Sequence, residues 1–323
     1  MKSRHQPHFD SVDVLSRSFA SVDYIASRQI ATTVFLGVNL EKPILVEGPA
    51  GVGKTELAKS MARILEVPLI RLQCYEGLDE SKALYEWKYG KQLLYTQLLK
   101  DKLGEIMDGA TGLAASMERL HAHDDLFFSE HFLLPRPLYQ ALHQANGCVL
   151  LIDEIDKSDP EFEAFLLEVL SDYQVSVPEL GTIKAQVKPI VFLTSNNTRE
   201  MSDALKRRCL HLHIPFPEAA LERHILLRRV PGLSAALNRE LVAFVQAVRM
   251  MDLKKQPSVS ESIDWARTVL LLNAEHLSLD LLRDTLNVLL KFEDDIAAAR
   301  EQLPALLDLA RKNPGPRHAD RAA

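Results

Sequence analysis

The residues best equipped for chemistry are contiguous: Glu47-Gly48-Pro49-Ala50-Gly51-Val52-Gly53-Lys54-Thr55, followed by Glu56. Two glycines, a lysine and a hydroxyl side chain stand at fixed spacing, Gly-x4-Gly-Lys-Thr. Glycine backbones reach angles that a β-carbon forbids, so successive N–H groups can converge on an anion. Lys54 adds a charge that can reach the β- and γ-phosphates of a nucleotide, and the Thr55 hydroxyl can ligate Mg²⁺. This set arises by chance in about one chain in a hundred at average residue usage. An ordinary glycine turn before a helix would not require Lys54 and Thr55. The sequence therefore predicts nucleotide binding.

Three further constellations lie downstream. Asp153 and Glu154 end the apolar run 149–152, which places two carboxylates at the edge of a buried strand. Asp153 suits Mg²⁺, and Glu154 stands where it can orient and deprotonate a water. A solvated helix-entry turn is the plain alternative for Asp-Glu. The glycine loop a hundred residues upstream favours the catalytic pair, and hydrolysis over transfer to a small molecule. Asn196 follows the apolar run 189–194 and can contact the γ-phosphate or the attacking water; a turn that starts with Asn is its alternative. Lys206, Arg207 and Arg208 end a short helix. An Arg there serves catalysis only on a neighbouring subunit's nucleotide; otherwise the basic residues simply suit a helix C-terminus.

Positioning these groups requires alternating elements. Residues 43–46 read as a buried strand. Leu57, Ala58, Met61, Ile64 and Leu65 then mark one helical face. A helix is predicted over 22–39 and strands over 67–72, 147–152, 189–194 and 210–214. Phe162, Phe165, Leu166, Val169 and Leu170 mark a helix, and 174–177 with 182–185 a hairpin. Residues 85–134 read as helices and loops beside the sheet, and 138–145 as a helix. Beyond Pro215-Phe216-Pro217 the pattern is helical throughout. The fold class expected is α/β, a largely parallel sheet with helices on both faces, followed by a small all-helical domain. The division expected is a flexible N-terminus over 1–20, a nucleotide-binding core over 21–216, a helical lid over 217–310 and a disordered tail over 311–323.

The chain has 323 residues, 47% hydrophobic and 25% charged, enough for at least one large core. A net charge of −6 speaks against generic nucleic-acid binding. Cys74, Cys148 and Cys209 have no metal spacing and read as reduced core thiols. No signal peptide or membrane span is visible, so a cytoplasmic location is expected.

In order of parts (glycine loop, Asp-Glu strand, Asn strand, Arg, helical lid) the sequence resembles the AAA+ P-loop NTPases. Residues 153–160 (Asp-Glu-Ile-Asp-Lys-Ser-Asp-Pro) and 165–168 (Phe-Leu-Leu-Glu) are similar to the MoxR type. Residues 74–80 (Cys-Tyr-Glu-Gly-Leu-Asp-Glu) and 257–266 (Pro-Ser-Val-Ser-Glu-Ser-Ile-Asp-Trp-Ala) resemble its CoxD-like branch. The resemblance covers about 20–295. It implies an ATPase using ATP and Mg²⁺, assembled as a hexameric ring, that remodels a protein client. Asn196 would be its sensor 1 and Arg208 its arginine finger, with Arg207 the competitor. It also implies a von Willebrand A-type partner and a metalloenzyme client maturing its metal cofactor. One departure stands out: Ser260 occupies the place of the family's lid arginine, sensor 2, and Arg267 lies two turns further on. Two other functions fit the motifs. One is a clamp-loader or helicase-type protein acting on nucleic acid, and the other a non-hydrolysing nucleotide-gated scaffold. His121 and His123, His211 and His213, Trp87 and Tyr89, and the cluster Arg223, Arg228 and Arg229 read as solvated or packed residues before they read as sites.

Overall fold

The computed structural model describes residues 9–98, 132–177 and 181–312. Helices α1 (Val12–Ser21) and α2 (Arg28–Asn39) precede β1 (Ile44–Glu47), and the glycine loop leads into α3 (Lys54–Leu65). Next come β2 (Leu69–Gln73), α4 (Glu80–Ala83), β3 (Tyr85–Trp87) and α5 (Tyr89–Leu98). Then follow β4 (Leu133–Pro135), α6 (Pro137–Leu142), β5 (Val149–Asp153) and α7 (Pro160–Asp172). A hairpin of β6 (Gln174–Val177) and β7 (Gly181–Lys184) leads to β8 (Ile190–Ser195), α8 (Asp203–Arg208) and β9 (Leu210–His213).

Strands β1, β2, β5, β8 and β9 form one parallel sheet in the order β2-β5-β8-β1-β9. Alternation along each strand sends successive side chains to opposite faces. Ile44, Val46, Val149 and Leu151 face α1, α2 and α3, while Leu45, Leu150 and Ile152 face α6 and α7. Both faces are thus covered, which is why the strands are continuous apolar runs. The order also sets β8 between the glycine-loop strand and the Asp-Glu strand, so all three motifs end at one sheet edge.

Five helices follow: α9 (Ala219–Arg229), α10 (Ala235–Arg249), α11 (Val259–Leu271), α12 (Leu279–Leu289) and α13 (Glu293–Lys312). They enclose their own core around Phe244 and Trp265, whose indole N–H donates to Thr285 Oγ1 at 2.9 Å. Glu222 and Arg249 form a buried ion pair at 2.6 Å, and Arg249 also donates to the Pro257 carbonyl. An arginine from α10 thereby fixes the turn that starts α11. The α/β sheet with a C-terminal helical bundle is the fold class expected.

Two local expectations are corrected. The N-terminal segment is not loose through residue 20: Ser11 caps α1, and Leu15 and Phe19 are fully buried against the core. Their i, i+4 spacing makes a sealing stripe inside a polar sequence. Within 85–134, Tyr85–Trp87 pairs antiparallel with Leu133–Pro135, so the segment contributes strands as well as a helix. Trp87 is buried there, while Tyr89 is exposed. Residues 99–131, with His121 and His123, lie outside the described residues, as do 1–8, 178–180 and the tail beyond Lys312. No helix among the described residues is long and apolar enough to cross a membrane.

Candidate active site

The glycine loop is wedged between the end of β9 and the start of α11. Gly48 has φ +147, and a β-carbon there would lie 2.1 Å from the Ile214 carbonyl oxygen. Gly51 has φ +71, and its β-carbon would lie 2.2 Å from Ser258 Oγ. Sequence shows the two glycines; only packing shows what each makes room for. Gly53 stands at the N-cap of α3 without a side-chain capping bond, leaving first-turn N–H groups directed at the cleft. Lys54 is buried, and its Nζ donates to the Gly48 carbonyl at 2.6 Å, the Pro49 carbonyl at 2.7 Å and Asn196 Oδ1 at 2.8 Å. Burial pulls the ammonium below the usual lysine range, against the opposing pull of Asp156, Asp153 and Glu154.

At the end of β5, Thr55 Oγ1 donates to Asp153 Oδ1 at 3.2 Å, and the Thr194 hydroxyl also donates to Oδ1. The same Thr194 oxygen accepts the Glu154 N–H at 2.9 Å, so one hydroxyl on β8 sets both carboxylate residues. Glu154 has φ +57, a left-handed angle for a residue with a side chain, and such angles cost of order 1–3 kcal/mol. Its Oε2 accepts from Gln73 Nε2 at 2.8 Å and Lys157 Nζ at 2.6 Å. Arg71 lies over Asp153, with Nε at 2.9 Å and a terminal nitrogen at 2.6 Å from Oδ2.

Asn196 follows β8, and its backbone N–H donates to Asp156 Oδ2 at 3.2 Å. Asp156 also accepts from Thr198 through its N–H at 3.1 Å and its hydroxyl at 2.6 Å. Arg208 is exposed, away from this cluster, and its Nε donates to Ser171 Oγ on α7 at 2.8 Å. The Arg207 side chain is exposed and has no hydrogen bond or ion pair among the described residues.

The cleft has two compartments. One, about 310 Å³, is polar and lined by Gly51, Lys54, Thr55, Arg71, Asp153 and Asn196. The other, about 340 Å³, lies between sheet and helical bundle, with a wall of Tyr24, Ile25, Ile214, Pro215, Leu221 and Ile263. Ser260 borders both, whereas Arg267 borders only the second. Arg229 crosses from α9 to Glu56 at 3.0 Å and Arg228 reaches Asp23 at 3.5 Å, so two of the three clustered arginines close against the core.

The hydroxyl of Thr55 and carboxylate of Asp153 are a hard oxygen pair suited to Mg²⁺, which typically takes one or two protein oxygens and completes its shell with phosphate and water. Among the described residues no cluster of three His, Cys, Asp or Glu forms a metal cage. His211 instead bonds Glu47 at 2.5 Å.

Sequence reasoning located Lys54, Thr55, Asp153, Glu154 and Asn196, and the fold brings all five together. It missed Arg71, Gln73, Thr194 and Asp156. The first two alternate with apolar residues on β2, a legible sign of a polar strand face. Their target became visible only through the pairing of β2 with β5, which sets Gln73 opposite Asp153.

A family model, the AAA domain of the dynein-related subfamily, matches residues 43–209. Two uncharacterized proteins of Staphylococcus aureus, from strains bovine RF122 / ET3-1 and USA300, are each 23% identical over 239 residues, spanning 72% of this chain and 77% of theirs. The crystal structure of a candidate ATPase from Cytophaga hutchinsonii aligns with a TM-score of 0.44 and 14% identity, covering 93% of this chain and 96% of that one.

Proposed function

The chain belongs to the AAA domain family, in its dynein-related subfamily, and from that membership we propose that it binds ATP and hydrolyses it to ADP and phosphate. The observation that carries the proposal is the convergence of Lys54, Asp153, Glu154 and Asn196 on one polar cleft beside an apolar compartment. The phosphates would take the polar compartment and the base the apolar one. Gly48, Pro49, Ala50, Gly51, Val52 and Gly53 cradle the phosphates, with Glu56 at the helix start behind them. Thr55 and Asp153 would hold Mg²⁺, which supplies charge neutralisation when bound. Lys54 exchanges its carbonyl partners for phosphate oxygens. Glu154 takes the proton of the attacking water after leaving Lys157, and Asn196 orients that water or the terminal phosphate.

Arg208 is assigned to the neighbouring subunit's nucleotide in a ring, a hexamer by resemblance. Its exposure, its bond to Ser171 and its absence from the lining of its own cleft support that role. The finer assignment is a MoxR-type, CoxD-like remodelling ATPase, working with a von Willebrand A-type partner on a metalloenzyme client. It rests on the motif resemblance. The lid is taken as 217–310, and its own hydrophobic core supports that division; the nucleotide-binding core runs to 216 and takes in α1, whose Leu15 and Phe19 pack within it.

Phosphate release tests the reaction. The wild type should turn over ATP with Mg²⁺, and Glu154→Gln should still bind ATP while turnover falls roughly 10²-fold or more. Undiminished turnover would remove Glu154 as the base. In mixtures, Arg208→Ala and Lys54→Ala subunits should partly restore each other's activity. No rescue between assembled variants counts against a finger acting in trans.

A further inference from the structure

Two cations that line the polar compartment, Lys59 and Arg71, have no part in the reaction as assigned, and of these Arg71 contacts the carboxylate cluster. Arg71 projects from β2, at the sheet edge, and half of its side chain is open to the cleft. Its guanidinium rests on Asp153 Oδ2 and also contacts Gln73 Oε1. Asp153 is buried, so its carboxylate needs a positive neighbour, and among the described residues Arg71 is the cation paired to it. The other carboxylate oxygen is held by Thr194 and Thr55, so the orientation of Asp153 does not depend on Arg71. The arginine can therefore leave without turning the carboxylate, once another cation such as Mg²⁺ compensates its charge.

We propose that Arg71 is a ligand of the terminal phosphate in cis, released from Asp153 in the Mg²⁺-ATP complex. The inference rests on the ATP reading above. Three features support it. Arg71 lines the same compartment as the glycine loop and Lys54. Among the described residues the helical bundle lends that compartment a neutral hydroxyl, Ser260, and no cation; besides Lys54 its cations are Lys59, exposed on α3, and Arg71, the one that reaches the Asp153 carboxylate. A guanidinium also presents a fixed planar fork of donors that matches two oxygens of one phosphate, a geometry that an ammonium does not preorganise.

The test compares affinities for the β,γ-imido analogue of ATP and for ADP, by calorimetry with excess Mg²⁺. Wild type, Arg71→Ala, Arg71→Gln and Arg71→Lys would be measured. Arg71→Ala and Arg71→Gln should weaken the triphosphate analogue about tenfold or more while ADP stays within about twofold. Arg71→Lys should recover part of the loss. Equal loss of both ligands, or loss of neither, overturns the assignment and leaves Arg71 as a structural ion pair. Failure of the wild type to bind either ligand would refute the ATP reading instead.

Discussion

Asp156 offers the sharpest test of how the site is built. Buried just past Glu154, it accepts the Asn196 N–H and both the N–H and hydroxyl of Thr198 through a single oxygen. Burial alone would raise its pKa, but the bonds from Thr198 and Asn196 outweigh it and hold the carboxyl below the usual range. A depressed carboxylate contributes stability above the ordinary Asp value of about 3.9, and that contribution is lost as pH falls through the lower folded value. Asp156→Ala strands three donors. Bonds to a charged acceptor are worth roughly 1.5–3 kcal/mol each, but the donors are only partly buried and water can replace some of the loss, so about 2–3 kcal/mol in total is expected. Urea unfolding reads that figure. The functional consequence is separate: without Asp156 the Asn196 backbone loosens, and a displacement near 1 Å costs about 10²-fold in rate. Asp156→Ala should therefore lower kcat by ten- to a hundredfold, with KM and ADP affinity within a few-fold, because Lys54 and the glycine loop are untouched. An unchanged kcat in a protein destabilised by about 2 kcal/mol would show that Asn196 is held by something else. Parallel loss of ADP binding would show that the damage is global.

Gly51→Ala drives a β-carbon into Ser258 and strains a left-handed backbone, so nucleotide affinity should fall about tenfold. A double-mutant cycle with Ser258→Gly should recover part of it, and strict additivity would deny contact between loop and lid. Phosphate beside the burial-depressed Lys54 favours its charged form, so binding at alkaline pH should take up more protons than binding at neutral pH. Calorimetry in buffers of different ionisation enthalpy measures the uptake, which should vanish in Lys54→Arg. Burial pushes the thiols of Cys74, Cys148 and Cys209 up to about 12, so native protein at pH 8 should label slowly and denatured protein at all three. A thiol that reacts at the free-cysteine rate in the native state would contradict its burial.

Much of the site was legible because its chemistry is local. Glycine loop, strand and helix occupy one stretch from 43 to 65, and Asp-Glu directly follows the apolar run that buries β5. Alternating strand and helix patterns likewise specified a parallel α/β sheet and a helical C-terminal part. The hairpin of β6 and β7 was readable from its turn and alternation. Less legible were α1, whose buried stripe is only Leu15 and Phe19, and the three-residue strands β3 and β4, too short to show a period.

Motif residues and their chemical types are sequence properties, and the sequence alone determined that phosphate, a divalent cation and a base could be served. Which groups meet was decided by strand order. Placing β8 between β5 and β1 carries Asn196 to Lys54, 142 positions away, and pairing β2 with β5 lays Arg71 and Gln73 over the two carboxylates. The start of α11 closes on Gly51 because Arg249, paired with Glu222 inside the helical core, holds the Pro257 turn. Such contacts leave no local trace, because a polar residue at a strand end looks the same whether it faces water or a carboxylate. Only the burial of both sheet faces and of the helical core selects the one arrangement in which they touch.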